Sequence, residues 1–466
     1  MFQSHFFRRF AELKASFDST PQLPFSEVLV RERIETTLVE LQVLYRDRIY
    51  PPCVTLWVFL SQVLSSDHSC RNAVARWLAF RLAQGQPPCS TETGSYCAAR
   101  QRLPEELLSR LTRETGADLH AQVPADWHFH GRPVKVVDGS TVSMPDSKAN
   151  EAAYPKTSNQ TGTCGFPLAR IVVLLCLATG AVLGLGVCAF SGKQASELAL
   201  FRQLWELLVK GDILLGDRLF CTYFDLARSL AKGVDTVVRL NASRRADFRR
   251  GERLGHDDHL VYWCKPTTCP EWLDRAEYDA LPHQLRLREV RVTVRVPGFR
   301  VWSLVVVTTL LDPVEFPAEE LALLYRQRWQ AELDLRSIKA VMQMDVLRCE
   351  SPEMIRKELW VHLLAYNLIR SVMSATALEH DLKVREISFK GTLQLLNALT
   401  HALLHTPAEK LDALCTALFA AVRQHPVGNR PHRYEPRKRK RAPKPYPKMK
   451  LPRAEERKLC LRQGKS

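Results

Sequence analysis

The chain has 466 residues, of which 46% are hydrophobic and 25% charged, as expected for a soluble globular protein of about two to four structural units. Its 13 cysteines have no regular spacing, which argues against a disulfide framework and for a reducing compartment. The formal net charge is +16, and residues 430–466 carry 15 Lys and Arg against three Glu, or +12 of that total. A polyanionic partner is therefore expected, and nucleic acid is the commonest.

Residues 1–125 have the apolar spacing of several short helices. Within them, the segment SYCAARQRLP carries Arg100 and Arg102 and follows a run of N-cap residues. Short helices with these arginines would suit a helix-turn-helix reader of DNA. A plain helical packing domain fits the same sequence equally well.

An α/β pattern begins near Arg132. The predicted elements are strand 133–138, a strand hairpin at 170–190, helix 197–210, strand 212–216, helix 224–231 and strand 234–240. This order is that of a ribonuclease H-like core, in which three antiparallel strands are followed by parallel ones. The predicted fold class is therefore α/β, with a ribonuclease H-like catalytic core.

Residues 171–190 carry no charge over about the length of a membrane span. They are rich in valine, however, and are interrupted by Thr179-Gly180 and by two further glycines. Two apolar strands joined at residues 178–181 explain this composition better than a membrane helix. We therefore expect no membrane association.

The second half of the chain departs from the α/β pattern and then resumes it. LREVRVTVRV and VWSLVVVTTL alternate with period two and predict an all-β insertion, after which helices are expected from Ala318, over 353–378 and over 390–422. The tail mixes prolines with the run RKRKR and should be disordered. The predicted units are a helical N-terminal DNA-binding domain (1–130), the first part of the core (131–240), the β-rich insertion (241–315), the second part of the core (316–380), a C-terminal helical region (381–425) and a basic tail (426–466).

A polar stripe marks the segment YRQRWQAELDLRSIK, residues 325–339. On an ideal helix, five of its side chains fall within roughly 80° of one another: Tyr325, Arg328, Glu332, Arg336 and Lys339. Most such charge runs are solvated helix faces. One carboxylate beside one aromatic ring and three cations also suits a metal-bound phosphate.

Two further carboxylates follow apolar strands, Asp138 and Asp217. Acids at strand ends are often turn formers or helix caps, but strand ends and a crossing helix can also converge at one edge of a sheet. Three carboxylates in one place, with Glu332 as the third, repel one another unless cations neutralise them. Two magnesium ions about 4 Å apart would do so and would also activate water in a phosphoryl displacement.

The spacing Tyr325-x2-Arg328-x3-Glu332-x6-Lys339 resembles the Y-R-E-K signature of the bacterial DD-E transposases of the insertion-sequence-four family. Asp138 in VVDGSTVSMPD and Asp217 in GDRLFCTY resemble the first two acids of that family. The β insertion before the glutamate and the segment SYCAARQRLP are similar to further family features. The resemblance covers roughly residues 30–420.

The resemblance implies roles for these side chains. Asp138, Asp217 and Glu332 would be the catalytic residues and the ligands of two Mg²⁺ ions, with Mn²⁺ as a substitute. Water and then a freed 3′-hydroxyl would attack phosphodiesters, while Tyr325, Arg328 and Lys339 hold the flanking phosphates. Arg336 joins this DNA-binding set because it shares the helix stripe. Trp302 resembles the insertion-domain tryptophan that stacks a flipped base, although a tryptophan in a β insertion is more often part of the core.

The implied partners are double-stranded DNA, as terminal inverted repeats and as target, and a second copy of the chain in a homodimeric synaptic complex. The expected location is the bacterial cytoplasm, at the nucleoid. Two alternatives remain open: a metal-dependent endonuclease that does not join strands, and a non-catalytic DNA-binding regulator derived from a transposase. The presence of all three acids and of the Y-R-E-K residues weighs against the regulator.

Overall fold

One sheet runs through the part of the protein that the computed structural model describes, namely residues 29, 31–46, 48–156, 165–192, 195–294, 302–405, 408–428 and 453–463. Its strands are β1 (Val134–Ser143), β2 (Leu168–Cys176), β3 (Val182–Ala189), β4 (Ile213–Gly216), β5 (Asp235–Arg239), β6 (Glu252–Gly255), β7 (Asp258–Cys264), β8 (Gln284–Val294) and β9 (Trp302–Thr308). Within these residues, the strand order is β3-β2-β1-β4-β5-β9-β8-β7-β6.

The first five strands have the predicted pairing. β1 pairs antiparallel with β2, and β2 with β3, whereas β1 pairs parallel with β4 and β4 with β5. The uncharged stretch forms β2 and β3, so the prediction of two strands rather than a membrane helix is confirmed. Among the described helices, none is both long enough and apolar enough to cross a membrane.

The insertion extends this sheet instead of forming a β unit of its own. β9 pairs antiparallel with β5, with Val238 opposite Val307, so main-chain hydrogen bonds continue from the acid-bearing strands into the insertion. The insertion is also not entirely β, because Arg275–Ala280 forms a short helix. Asp274 caps that helix by accepting hydrogen bonds from the N–H groups of Ala276 and Glu277 (2.9 and 3.3 Å).

Helices cover both faces of the sheet. The helices that precede it are α1 (Arg31–Glu40), α2 (Pro52–Leu64), α3 (Cys70–Ala83), α4 (Gly94–Arg102) and α5 (Glu105–Ala121), and those within and after it are α6 (Lys148–Ala153), α7 (Glu197–Gln203), α8 (Tyr223–Ala231), α9 (Arg275–Ala280), α10 (Ala318–Gln327), α11 (Trp329–Arg336), α12 (Pro352–Glu379), α13 (Phe389–His405), α14 (Ala408–Arg423) and α15 (Arg453–Arg462). One hydrophobic core lies between the sheet and helices α10, α11 and α12. A second hydrophobic core lies between the sheet and helices α7 and α8. Burial of both faces explains why the central strands are continuously apolar.

The N-terminal helices pack against this body, and Arg100 is buried between two of them. Its side chain is buried, donates a hydrogen bond to Gln62 Oε1 (3.3 Å) and lies over the rings of Phe59 and Tyr96. Of the two alternatives for this segment, the burial of Arg100 favours packing over a DNA contact, because α4 places it one turn from Tyr96 on the inward face. Arg102 is exposed.

The C-terminal region is helical, as predicted, in α12, α13 and α14. The prediction that the whole basic tail is disordered is wrong for Arg453–Arg462, which forms α15. Alternating charges at helical spacing support this short helix. Residues 429–452, which include the RKRKR run, lie outside the described residues.

Candidate active site

Asp138 and Asp217 lie at the same level of two adjacent parallel strands. In the register of β1 with β4, Val136 is opposite Leu215, so two residues further on Asp138 is aligned with Asp217. Asp217 follows the last residue of β4, and its Oδ1 accepts a hydrogen bond from the N–H of Leu219 (2.7 Å). Asp138 was predicted to end its strand, but β1 continues to Ser143 because antiparallel pairing with β2 persists there.

Glu332 lies on α11, which packs against β1, and one guanidinium connects it to Asp138. Arg328 Nη2 is 2.7 Å from Glu332 Oε1, and Nη1 of the same side chain is 3.9 Å from Asp138 Oδ2. Arg328 lies at the boundary where α10 ends and α11 begins. Arg328 therefore stands between two of the three predicted catalytic carboxylates.

The pKa of Asp138 shows that the three acids share one electrostatic environment. This pKa is raised from its ordinary value of 3.8 to about 6, mainly by burial and to a smaller degree by the charges of Glu332 and Asp217. Arg328 and the hydrogen bond from the Gly139 N–H act in the opposite direction. Like-charged neighbours and burial both penalise the ionised form, and a cation would relieve both effects.

Tyr325 belongs to the same cluster. It is buried, and burial raises the pKa of its hydroxyl to about 12. The negative charge of Asp217 contributes to this rise, whereas Arg328 and Arg239 oppose it. The Tyr325 hydroxyl is therefore a neutral hydrogen-bond donor that interacts electrostatically with both Asp217 and Arg328.

Lys339 reaches the acid-bearing strand from a widened helical turn. Residues Ser337–Val341 form a π-helical turn directly after α11, and Lys339 Nζ donates a hydrogen bond to Ser140 Oγ (2.9 Å). Such turns redirect side chains and are frequent at functional sites. The polar stripe was predicted from one uniform α-helix over residues 325–339. That prediction is wrong at Arg328 and at Ser337, where the α-helix is interrupted, although Lys339 still faces β1.

The other two predicted DNA contacts lie at the edge of this cluster. Arg336 is exposed on the last turn of α11. Trp302 is the first residue of β9. Val306 of the same strand pairs with Arg239 at the end of β5, so the backbone of Trp302 lies four residues past that pair. This end of β5 is the one that adjoins Asp217. The side chain of Trp302 lies outside the described part of the structure, so base stacking stays a prediction.

The donor set suits a hard divalent cation, because all three candidate ligands are carboxylates. In the described ranges, no three His, Cys, Asp or Glu side chains lie close enough together to hold a metal ion. Glu332 accepts a hydrogen bond from Arg328. The residues fit a metal chemically, provided that Arg328 releases Glu332. Two neighbours were missed from the sequence: Ser140, two residues after Asp138 on the same strand face, and Arg239, a cation at the end of β5.

On an ideal helix, Asp334 falls on the side opposite Glu332 and is not expected in the site, and the structure agrees. Its side chain is 1% exposed and forms ion pairs with Arg370 and Arg385. Asp345 is exposed at the surface.

Comparison with known proteins assigns this arrangement to a class. The family described as "Transposase DDE domain" matches residues 129–368, which span β1 to α12 and contain all three acids. Because this match covers more than half of the chain, the chain belongs to the DDE transposase family.

Individual relatives narrow the assignment to the insertion-sequence-four group, as predicted. The chain is 30% identical over 378 residues to the transposase InsG of insertion sequence element IS4 from Escherichia coli strain K12, covering 79% of this chain and 80% of that protein. The transposase of IS421 from Escherichia coli is 36% identical over 69 residues, or 15% of this chain and 19% of its own.

One solved structure shares a broad likeness. It is the cryo-EM structure of the piggyBac transposase synaptic complex with hairpin DNA, with a TM-score of 0.43, 10% identity and coverage of 84% of both chains. At this TM-score the likeness carries no weight for the assignment.

Proposed function

We propose that the protein binds the terminal inverted repeats of an insertion sequence and catalyses metal-dependent DNA cleavage and strand transfer. The alignment of Asp138 with Asp217, joined to Glu332 through Arg328, carries this proposal. Membership of the DDE transposase family supports it. The order β3-β2-β1-β4-β5, antiparallel and then parallel, supports a ribonuclease H-like core for the acid-bearing half.

Asp138, Asp217 and Glu332 would hold two Mg²⁺ ions, or Mn²⁺ in their place. Such ions, when bound, supply Lewis acidity and lower the pKa of water. Water attack at phosphorus breaks the P–O3′ bond and frees a 3′-hydroxyl at the end of the element. Attack of that hydroxyl on a target phosphodiester then forms the new bond and releases a target 3′-hydroxyl.

The cations and the tyrosine of the Y-R-E-K set would hold the phosphates on either side of the reacting bond. Arg328 offers a planar fork of donors, Lys339 a point charge, and Tyr325 a neutral donor. A divalent cation would compete with Arg328 for Glu332, and a DNA phosphate would then take the place of the carboxylate at Arg328. Exposed Arg336 would contact the backbone further along, and Trp302 would stack on an unpaired base.

Two DNA ends must meet for transposition, so we infer a homodimer in a synaptic complex, with target DNA as the third duplex. Activity on chromosomal DNA would place the protein in the bacterial cytoplasm, at the nucleoid.

A strand-transfer assay tests this function. The substrates are a labelled duplex with a pre-cut inverted-repeat end, taken from the DNA that flanks the gene, and a supercoiled target plasmid with Mg²⁺. We expect labelled DNA joined covalently to the plasmid. Cleavage of an uncut end without any joined product would favour the endonuclease alternative. Binding of the end without cleavage or joining would favour the regulator.

Deletion of residues 430–466 should weaken DNA binding and its dependence on salt. This segment carries +12, and each phosphate that the protein no longer neutralises makes the slope of log K against log salt shallower by about 0.9. We expect a slope reduced by several units and an affinity at least about tenfold lower at 150 mM salt. The measurement is fluorescence anisotropy across a salt series. A full-length variant with glutamines at the five positions of the RKRKR run separates charge from length, and an unchanged slope would show that the tail does not contact DNA.

A further inference from the structure

We propose that Asp334 is a positioning residue for Glu332, acting through a buried ion-pair network that fixes the rotation of α11; this inference rests on the proposed function. Asp334 follows Glu332 by two positions, so on an α-helix their side chains lie roughly 200° apart. One points to the acid cluster and the other points away from it. A constraint on Asp334 therefore determines where Glu332 points.

The constraint comes from two arginines on two different elements. Arg385, on the short 3₁₀ turn Val384–Glu386, donates from Nη1 to both carboxylate oxygens of Asp334 (2.7 and 2.8 Å). Arg370, on α12, donates from Nη2 to Asp334 Oδ1. Contacts from two directions fix the orientation of the carboxylate as well as its position.

Both arginines are themselves held in place. Arg370 is 4% exposed and donates from Nε to the hydroxyl of Tyr366 (2.8 Å). Gly180 makes room for its guanidinium, because a Cβ at this left-handed turn residue (φ 77°) would lie 2.9 Å from Arg370 Cζ. Arg385 donates from Nε to the carbonyl oxygen of Leu177, directly after β2 (2.8 Å).

The network therefore connects the helix of Glu332 to the sheet of Asp138. β2 receives the hydrogen bonds of Arg385 near its end and pairs with β1, where Val173 lies opposite Asp138. A carboxylate lies at a radius of roughly 6 Å from its helix axis, so a rotation of about 20° moves it by about 2 Å. Metal ligands tolerate deviations of only about 0.2 Å, so loss of the network should disturb ligation by Glu332.

The test compares Mn²⁺ binding by full-length variants, measured by electron paramagnetic resonance of free Mn²⁺ without DNA. We expect Asp334→Asn to weaken Mn²⁺ binding at least about tenfold and to raise the Mn²⁺ concentration that half-saturates cleavage by a similar factor. DNA affinity should change less than about twofold, because Asp334 is buried.

The matched control is Asp225→Asn. Asp225 is 3% exposed on α8 and is held by two hydrogen bonds from Arg202 of α7 (both 2.9 Å), on the other face of the sheet. Its loss removes a similar buried ion pair, and Mn²⁺ affinity should stay within about twofold of the wild type. A weakening equal to that of Asp334→Asn would mean that the effect is general destabilisation, and would overturn the proposal.

A milder pair of variants decides the matter if Asp334→Asn does not fold. Arg385→Gln should weaken Mn²⁺ binding severalfold, and Arg385→Lys, which keeps a cation beside Asp334, should restore most of it. Wild-type Mn²⁺ affinity in a folded Asp334→Asn variant, or in Arg385→Gln, would overturn the proposal. Failure of the proposed metal site itself has a different signature, since Glu332→Gln would then bind Mn²⁺ like the wild type.

Discussion

Replacement of Glu332 with glutamine should reduce DNA cleavage by at least about a thousandfold while leaving DNA affinity within about twofold of the wild type. A carboxylate that holds a catalytic metal accounts for several kcal/mol of transition-state stabilisation, which corresponds to such a factor. Glutamine keeps the shape of the side chain and can still accept the hydrogen bond that Arg328 donates to Oε1 (2.7 Å). The fold and the DNA-binding surface should therefore persist.

Single-turnover cleavage of a labelled inverted-repeat duplex measures the first quantity, and anisotropy measures the second. Glu350→Gln is the matched control, because Glu350 is exposed and lies beyond the π-helical turn that follows α11. Its cleavage rate should equal that of the wild type. If Glu332→Gln cleaved at the wild-type rate, Glu332 would have no part in the reaction.

Replacement of Asp138 with asparagine should abolish cleavage and, in a chelator at neutral pH, make the protein more stable. Burial and the neighbouring acids raise the pKa of Asp138 to about 6, so at pH 7.5 the folded protein holds a charge that its surroundings disfavour. The rise from 3.8 corresponds to roughly 3 kcal/mol at 1.36 kcal/mol per pKa unit. Asparagine removes the charge and should recover about 2 to 3 kcal/mol.

The gain should depend on pH in a defined direction. The folded protein binds the Asp138 proton more tightly than the unfolded chain does, so this proton stabilises the fold fully below pH 3.8, and the contribution is lost as pH rises through about 6. The advantage of asparagine should therefore be near zero at pH 3.5 and complete by pH 7.

Urea denaturation of both proteins at three pH values checks this expectation. Asp345→Asn, at an exposed position, should change the free energy of unfolding by less than about 0.5 kcal/mol. An Asp138→Asn variant less stable than the wild type at pH 7.5 would mean that the ion pair with Arg328 outweighs the cost of burying the charge.

The sequence was sufficient to predict the acid-bearing half of the sheet, because strands buried on both faces are read directly from runs such as IVVLLC in β2. It was not sufficient to predict that β1 extends past Asp138, since the polar residues Gly139, Ser140 and Thr141 pair with β2 through main-chain atoms. The junction of β5 with β9 depends on the same kind of contact, between segments far apart in the chain.

The site was predictable to a similar depth. Helix periodicity correctly placed Glu332 and Asp334 on opposite sides of α11, because over two residues a helix deviates little from ideal geometry. The burial of Arg100 was not predictable in this way, because it follows from rings on two helices that only the tertiary structure brings together. The engagement of Arg328 with Asp138 and Glu332 is likewise a tertiary contact, and spacing alone does not reveal it.

The continuous hydrogen bonding from β5 into β9 has a mechanical consequence. The insertion and the strands that carry the acids belong to one continuous sheet. Neither can rotate relative to the other without breaking the main-chain hydrogen bonds of that sheet. Any DNA that contacts the insertion would thereby be held at a set distance from Asp217. Alignment of the scissile bond would then come from movement of the DNA, and not from closure of one half of the sheet on the other.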